Sequence, residues 1–176
     1  MNLKLAAAVT LAVAGLAIAS TSAFAATSPA TATFQVLMKI NKACTVTAGA
    51  GSNIQLGPVA GVDSTAVNTS GTNNISVTCS KTTPYFIGLA PSNANTAGAG
   101  QMSGTGSNTD KVPYQLFSNS GLSTVWGNTT TSTTVGNGVT GIGTGLPVSI
   151  PVWANAPSAN FTPDSYADTV TVNVNF

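Results

Sequence analysis

The segment Thr169–Phe176 alternates strictly between polar and apolar side chains. Its apolar members are Val170, Val172, Val174 and Phe176. Successive side chains of a β-strand point to opposite faces, so this segment has one apolar and one polar face when extended. The pattern predicts a half-buried strand of an antiparallel sheet, with the chain ending on it.

A similar alternation occurs near the other end, in Thr33–Ile40. Only Leu37 interrupts it, and the side chains that share the apolar face are Phe34, Val36, Met38 and Ile40. We predict a strand here. A strand at the start of a mature chain can pair with another chain as readily as with its own, because its edge groups have no built-in partner.

Between these two segments the sequence favours strands and turns over helices. Apolar stripes of helical period are nearly absent, and Thr, Val, Asn and Gly dominate. The other predicted strands are Cys44–Thr47, Asn53–Leu56, Asn74–Ser80, Pro84–Leu89, Val112–Phe117, Ser123–Trp126 and Pro147–Trp153. With the residue before its alternating part, the last predicted strand is Asp168–Phe176. The predicted loops are Gly57–Thr72, Ala90–Asp110 and Gly127–Gly145, which are rich in turn residues. We therefore expect an all-β chain folded as an antiparallel β-sandwich.

The first residues have the composition of a secretory signal. Lys4 is followed by the apolar run Leu5–Ile18 and by the small-x-small site Ala23-Phe24-Ala25. The run is shorter than the roughly 20 apolar residues of a membrane span. We predict a signal peptide at residues 1–25 and a mature, exported chain from Ala26. About 150 residues suffice for one domain with a sizeable core.

Charge is scarce in the predicted mature chain, and it cancels. The charged residues there are Lys39, Lys42, Lys81, Lys111, Asp63, Asp110, Asp164 and Asp168. With no basic patch to bind phosphates, nucleic acid is not an expected partner. A surface with so little charge repels copies of itself only weakly, which suits self-association.

Catalytic and metal-binding chemistry lacks its usual side chains. His, Glu and Arg are absent from the mature chain, and its Asp residues are far apart, so we interpret them as solvated turn residues. The sequence indicates no enzyme, no metal and no cofactor. Cys44 and Cys79 are expected to form one disulfide, because the chain is exported and has no His to activate a free thiol.

Three further patterns have simpler interpretations. Gly136–Gly141 matches a dinucleotide-binding glycine spacing, but no helix follows it, so we predict a turn. The Asn-x-Ser/Thr triplets at Asn68, Asn74 and Asn128 arise easily by chance in this composition. Trp126, Trp153, Tyr114 and Tyr166 could stack on sugars, although core or core-edge packing is the favoured interpretation.

Five segments together resemble the spore coat U domain family, which includes subunits of archaic chaperone–usher pili. They are Phe34–Ile40 ahead of Cys44; Ile75–Cys79 with Pro84-Tyr85; Tyr114–Phe117 with Trp126-Gly127; Val148–Val152; and Tyr166–Asp168 before the last strand. Their combination spans the mature chain, and the size is similar to that of the family's major shaft pilin (Csu-type).

The resemblance implies an immunoglobulin-like sandwich that lacks its last strand. A periplasmic chaperone would complete it first, and the N-terminal segment of the next identical subunit would do so at the outer-membrane usher. The expected donor segment lies in residues 26–43, ahead of a domain at residues 44–176, with Phe34, Val36, Met38 and Ile40 inserted.

The resemblance also implies that Cys44 pairs with Cys79, and that Val170, Val172, Val174 and Phe176 bind the chaperone. The expected product is a homopolymer carrying a tip adhesin, located at the cell surface as a pilus for adhesion and biofilm formation. The alternatives are a secreted monomeric sandwich that binds carbohydrate, and a structural protein of a spore or cell coat.

Overall fold

The computed structural model describes residues 28–59 and 67–176, without the side chains of residues 67–72. The predicted signal peptide, Asp63 and part of the predicted loop Gly57–Thr72 lie outside these ranges. The chain divides into two units, one ending at Lys39 and one comprising Ile40–Phe176. In the first unit, residues 28–39 form neither helix nor strand.

The second unit is built from short β-strands. They are β1 (Cys44–Thr47), β2 (Val67–Cys79), β3 (Pro84–Pro91), β4 (Ala99–Ser103), β5 (Lys111–Phe117), β6 (Val139–Ile142), β7 (Val148–Ala156) and β8 (Val170–Asn175). A single turn of 3-10 helix, Ala50–Ser52, follows β1. The described residues contain no helix with the length and apolar character needed to cross a bilayer.

These strands form two sheets in which all neighbours are antiparallel. One sheet has five strands in the order β1-β2-β7-β5-β4, and the other has three in the order β6-β3-β8. The sheets enclose one apolar core between them. The predicted all-β antiparallel sandwich is confirmed.

The period-2 pattern of the central strands builds this core. In β5, Val112, Tyr114 and Leu116 are buried, while the residues between them are partly exposed. The same alternation in β2, β3 and β7 supplies most of the remaining core. Its buried members from those strands are Ile75, Val77, Cys79, Tyr85, Ile87, Leu89, Ile150, Val152 and Ala154.

The disulfide between Cys44 and Cys79 fastens the first strand to the second. The two residues are also directly opposed in the β1–β2 ladder. Beside them, the backbone N–H of Ser80 donates to the carbonyl of Ala43 at 2.9 Å. The pairing that the sequence suggested is therefore present, and it fixes β1 at the end of the five-stranded sheet.

Several predicted boundaries and elements were wrong. Asn53–Leu56 forms no strand, because no described strand pairs with it, although Ile54 and Leu56 pack against the core. In place of the predicted strand, Ser123–Trp126 contains one isolated β-bridge, between Val125 and Phe117.

The predicted loops also contain strands. Ala90–Asp110 contains β4, Gly127–Gly145 contains β6, and β2 begins at Val67 inside Gly57–Thr72. β4 has little strand propensity of its own, whereas β6 contains the strand-favouring residues Val139, Thr140 and Ile142 but is only four residues long and lies in a Gly- and Thr-rich stretch. Both strands are ordered by pairing with longer neighbours, β5 and β3.

Thr33–Ile40, predicted as a strand, forms none in the single chain. The predicted turn at Gly136–Gly141 is found in its first half, where Gly136 has φ 52°, but the second half belongs to the strand β6, which begins at Val139.

Candidate functional site

The last strand, β8, lies at the end of its sheet. In the described part of the chain its ladder partner is β3 alone, and the opposite edge of β8 carries no strand. β1 ends the other sheet and comes within 8 Å of β8 between Cα atoms, but the two form no ladder. A free strand edge presents backbone N–H and C=O groups that a further strand can pair with.

An open groove of about 480 Å³ runs beside this free edge, between the start of β8 and residues 48–56. Val170 and Val172 of β8 line it and are only half-buried. Its floor consists of core side chains contributed by both sheets: Ile75, Leu89, Leu116, Val152 and Ala154. The groove therefore reaches the core side chains from this side, although these side chains are themselves buried.

The wall opposite β8 is a segment without a ladder. Ser52 fixes it to β2, because its hydroxyl donates to the carbonyl of Asn74 at 2.6 Å. Ile54 and Leu56 then pack half-buried against the core. This wall is held by a few contacts, whereas the β8 wall is held by a continuous ladder with β3.

A second cavity of about 540 Å³ continues the groove beyond β8. It lies between residues 54–59 and residues 158–166, and shares Ile54, Leu56, Met102 and Tyr166 with the first. Together they form a channel that leads from β8 toward the end of the sandwich.

A polar pair lines the first cavity. The hydroxyl of Tyr114 donates to Oδ2 of Asp168 at 2.7 Å, and both residues line the first cavity. Burial, followed by the hydrogen bond and the negative charge of Asp168, raises the pKa of Tyr114 strongly above its ordinary value. Tyr114 thus remains a neutral donor, and it holds an acidic side chain in the lining of the groove.

Two further carboxylates lie near the second cavity: Asp164 lines it, and Asp110 contacts Thr162, which also lines it. Asp164 accepts hydrogen bonds from the backbone N–H of Thr105 at 2.7 Å, from the Thr105 hydroxyl, from Asn108 at 2.8 Å and from the backbone N–H of Ser165 at 2.7 Å. These donors, with the Thr105 hydroxyl first, hold the pKa of Asp164 far below its ordinary value.

Asp110 accepts from the backbone N–H of Thr162 at 3.0 Å, and hydrogen bonds from Thr162 lower its pKa as well. Asp110 and Asp164 lie in connecting segments outside the strands, in line with the prediction, but they also join the β4–β5 connection to the segment before β8. The prediction was wrong for Asp168, which is half-buried and accepts from Tyr114. Across the described residues, no group of three His, Cys, Asp or Glu side chains is close enough to hold a metal ion.

The outer face of β8 is covered by the segment that follows Trp126. Asn173 donates to the side-chain oxygen of Asn128 at 3.1 Å, and Asn175 donates to the hydroxyl of Thr130 at 3.0 Å. β3 passes under the same segment at Gly88, where a Cβ atom would overlap Asn128 and Thr130. β8 is thus supported on one face and along one edge, while its other edge faces the groove.

The aromatic side chains serve packing. Trp126 is fully buried and its indole N–H donates to the carbonyl of Ile87 at 2.9 Å, and Tyr114 is also buried. Trp153 and Tyr166 are half-buried. The core and core-edge interpretation of these residues is confirmed.

The N-terminal segment presents its apolar side chains openly. Phe34 and Val36 are each 88% exposed, Met38 is 85% exposed and Ile40 is 78% exposed. Exposed apolar side chains at every second position are unusual for a soluble chain, and they indicate a surface that is meant to be covered.

Comparison with known proteins places the chain in a family. The family model described as the Spore Coat Protein U domain matches residues 30–173. A curated relative, "Protein U" of Myxococcus xanthus, is 32% identical over 172 residues, which cover 91% of this chain and 93% of that protein. The chain belongs to the Spore Coat Protein U domain family.

One solved structure has a related outline. It is a chain of the crystal structure of the CsuC–CsuE chaperone–tip adhesion subunit pre-assembly complex from archaic chaperone–usher Csu pili of Acinetobacter baumannii. The TM-score is 0.47 at 19% identity, and the match covers 78% of this chain. It spans only 40% of the crystallised chain.

Proposed function

We propose that this chain is a structural subunit of an exported surface fibre of the archaic chaperone–usher type. Residues 31–40 of one copy fill the groove beside β8 of the next copy. The observation that carries the proposal is the coexistence of two unsatisfied surfaces. One is a free strand edge beside a groove that reaches the core; the other is an exposed segment with apolar side chains at every second position.

The two surfaces have matching chemistry. An inserted strand pairs its backbone with β8 and places alternate side chains on the groove floor, which is a known mode of peptide recognition. Burying Phe34, Val36, Met38 and Ile40 contributes roughly 6–12 kcal/mol before the cost of ordering the segment. Insertion of residues 31–40 therefore holds two subunits together stably without any covalent bond between them.

The open groove explains the partners that we propose. Before insertion, the free edge and open groove favour aggregation, so a periplasmic chaperone protects them by binding along β8, at Val170, Val172, Val174 and Phe176. An outer-membrane usher then exchanges the chaperone for the next subunit, and a tip adhesin ends the fibre. The chaperone thus covers the groove, and the usher directs which segment fills it.

The composition fits a structural role at the cell surface. The low charge of the predicted mature chain limits repulsion between identical copies, and the predicted signal peptide directs export. The proposed function is assembly into a pilus that serves adhesion and biofilm formation, with no catalytic step and no cofactor. Identity with the major shaft subunit is part of the proposal.

The decisive experiment compares adjacent charge insertions in the N-terminal segment. Val36→Asp places a carboxylate on the inserted face, whereas Leu37→Asp places one on the opposite face; both positions are exposed in the single chain. Surface material is sheared and run on a denaturing gel with and without boiling. We expect the wild type and Leu37→Asp to give a heat-sensitive ladder, and Val36→Asp to give monomer alone.

Two results would contradict the proposal, each in a different part. A single monomer band for the wild type under both conditions contradicts strand-linked assembly. A ladder that survives Val36→Asp contradicts the assignment of residues 31–40 as the inserted segment.

A second candidate is a structural protein of a spore or cell coat. It is favoured by the description of the matched family and by the similarity to Protein U across 93% of that protein. Copies would be linked through the same groove. Immunogold labelling separates the two candidates, since a fibre extends from the cell whereas a coat forms a continuous layer.

A further inference from the structure

We propose that the outer face of the five-stranded sheet binds a neutral, unbranched polysaccharide. The contact surface is a row of three side chains, Trp153, Phe117 and Val125, which we call the aromatic row. None of the three lines either cavity beside β8. The inference therefore goes beyond the proposed function, and it applies to the single chain and to a fibre alike.

The alternation of β5 and β7 places the aromatic row on the outer face. Val152 and Ala154 are buried in the core, so Trp153 between them points away from it. Phe117 lies opposite Trp153 in the β5–β7 ladder, and Val125 forms a bridge with Phe117 on its other side. Neighbouring strands lie about 4.8 Å apart, so the row extends roughly 10 Å across the sheet.

Core packing leaves part of the aromatic row uncovered. Val125 is 44% exposed, and Trp153 and Phe117 are half-buried. A sugar ring presents C–H groups on its faces and hydroxyl groups around its edge. An aromatic side chain that is open on one side can pack against such a ring face, and its apolar surface is then removed from water.

Amide groups flank the aromatic row where a sugar would present its hydroxyl groups. Gln115 and Asn155 occupy the next outward positions of β5 and β7 and are opposed to each other. Nε2 of Gln115 donates to the carbonyl of Ala97 at 2.9 Å, which fixes the orientation of the carboxamide. The oxygen of a carboxamide has two lone pairs, so it can accept a hydrogen bond from a sugar hydroxyl.

The hairpin between Phe117 and Val125 holds the aromatic row in place. The backbone N–H of Ser118 donates to the carbonyl of Thr124 at 2.9 Å, and Oδ1 of Asn119 accepts from the N–H of Thr124 at 2.9 Å. Directly after Val125, the N–H of Trp126 donates to the carbonyl of Leu116 at 2.9 Å. The row is thus ordered before binding, which lowers the entropic cost of capturing a ligand.

The charge of this sheet favours a neutral ligand. Among all residues of β1, β2, β4, β5, β7 and the hairpin at residues 118–124, the charged one is Lys111. It lies at the start of β5, and its ammonium group donates to the Ser103 hydroxyl at 2.7 Å. The face therefore offers little electrostatic attraction to nucleic acid, to an anionic lipid surface or to a charged polysaccharide.

The small size of the aromatic row favours a polysaccharide over a second copy of this chain. A stable interface between proteins buries more than about 1,000 Å² in total, and three side chains, two of them half-buried, provide far less apolar surface. A row of this length instead matches a pair of linked pyranose rings. In a fibre every copy would present one row, so many weak contacts along one polysaccharide add up to strong attachment.

Titration with two neutral oligosaccharides tests the proposal. The full mature chain, as soluble subunit and as sheared fibres, is titrated with cellohexaose and with chitohexaose, whose β-1,4-linked rings have flat apolar faces. Trp126 is fully buried, so a change in tryptophan fluorescence reports on Trp153. We expect a saturable change with at least one of the two probes, at the same probe concentration in low and in high salt.

Variants of the aromatic row identify the binding face, with calorimetry as the readout. Trp153→Ala should weaken binding about tenfold or more, whereas Trp153→Phe retains a ring and should lose less. If Trp153→Ala does not fold, Val125→Asp introduces a charge at an exposed position of the row and should also abolish binding. Thr140→Ala is the matched control, because Thr140 is exposed on β6 of the other sheet.

Several outcomes would overturn the inference. They are a wild type that binds neither probe, an affinity unchanged by Trp153→Ala or Val125→Asp, and binding that disappears in high salt. Dispersal of fibre bundles by Val125→Asp, without binding of either probe, would make the row a contact between copies instead. The heat-sensitive ladder should be unchanged in Val125→Asp, so the polysaccharide site and the proposed fibre are tested separately.

Discussion

The hydroxyl of Tyr114 donates to Oδ2 of Asp168 at 2.7 Å and thereby connects β5 of the five-stranded sheet to the residues just before β8 of the other sheet. Both residues line the groove, and Asp168 is the carboxylate among its lining side chains. The hydrogen bond positions the first residues of β8 and so helps to keep the groove open.

Removing this donor should destabilise the domain. Tyr114→Phe keeps the buried ring and deletes the hydrogen bond to a charged acceptor, so we expect a loss of about 1.5–3 kcal/mol in the free energy of unfolding. Urea unfolding of the monomer measures it. Asp168→Asn keeps a hydrogen-bond acceptor for Tyr114, so its loss in the free energy of unfolding should be smaller. A loss equal to or greater than that of Tyr114→Phe would show that Asp168 does not act mainly as the acceptor for Tyr114.

Acid should weaken the contacts of Asp164. Its pKa in the fold lies below the ordinary value of 3.8, so its stabilising effect is complete above that value and is lost as the pH falls through the folded pKa. The free energy of unfolding should therefore decrease below about pH 4. Asp164→Asn should remove most of this decrease in the free energy of unfolding below about pH 4. Thr105→Val should make the decrease smaller, because it deletes the hydroxyl that donates to Asp164.

Gly100 should tolerate no side chain. It is opposed to Tyr114 in the β4–β5 ladder, and a Cβ atom there would overlap the Tyr114 ring. Gly100→Ala should cost about 1–3 kcal/mol through forced repacking. Gly51→Ala is the control, because nothing lies within 4 Å of the added atom; chemical denaturation of both variants provides the comparison.

Loss of the disulfide should destabilise the first strand most. Cys44 and Cys79 are separated by 35 positions, and the chain-entropy model gives about 3–4 kcal/mol for closing such a loop. The double variant Cys44→Ser/Cys79→Ser should show this loss in urea unfolding. Hydrogen exchange should increase first in β1, at the end of its sheet; uniform exchange throughout the domain would indicate that β1 does not open separately.

The sequence predicted the strands that carry strict alternation. β5, β7 and β8 were found because Val and aromatic residues at every second position encode a half-buried strand locally. β4 and β6 were missed for different reasons: Ala99–Ser103 has little strand propensity and is ordered by pairing with β5, whereas Val139–Ile142 favours a strand but is short and surrounded by turn residues. The network around Asp164 was equally invisible, because Thr105 and Asn108 reach it across more than fifty positions of the chain.

The sequence by itself determined the class of fold, the cysteines available for the disulfide and the two alternating segments at the ends, because each depends on local spacing. Only the tertiary structure decided that β8 ends its sheet, that a groove beside it reaches the core side chains and that Asp168 lines this groove together with Tyr114. Those features arise from strand order and sheet packing, which join residues distant in sequence. An alternating pattern specifies a strand, but its partner is fixed only when the other strands have taken their places.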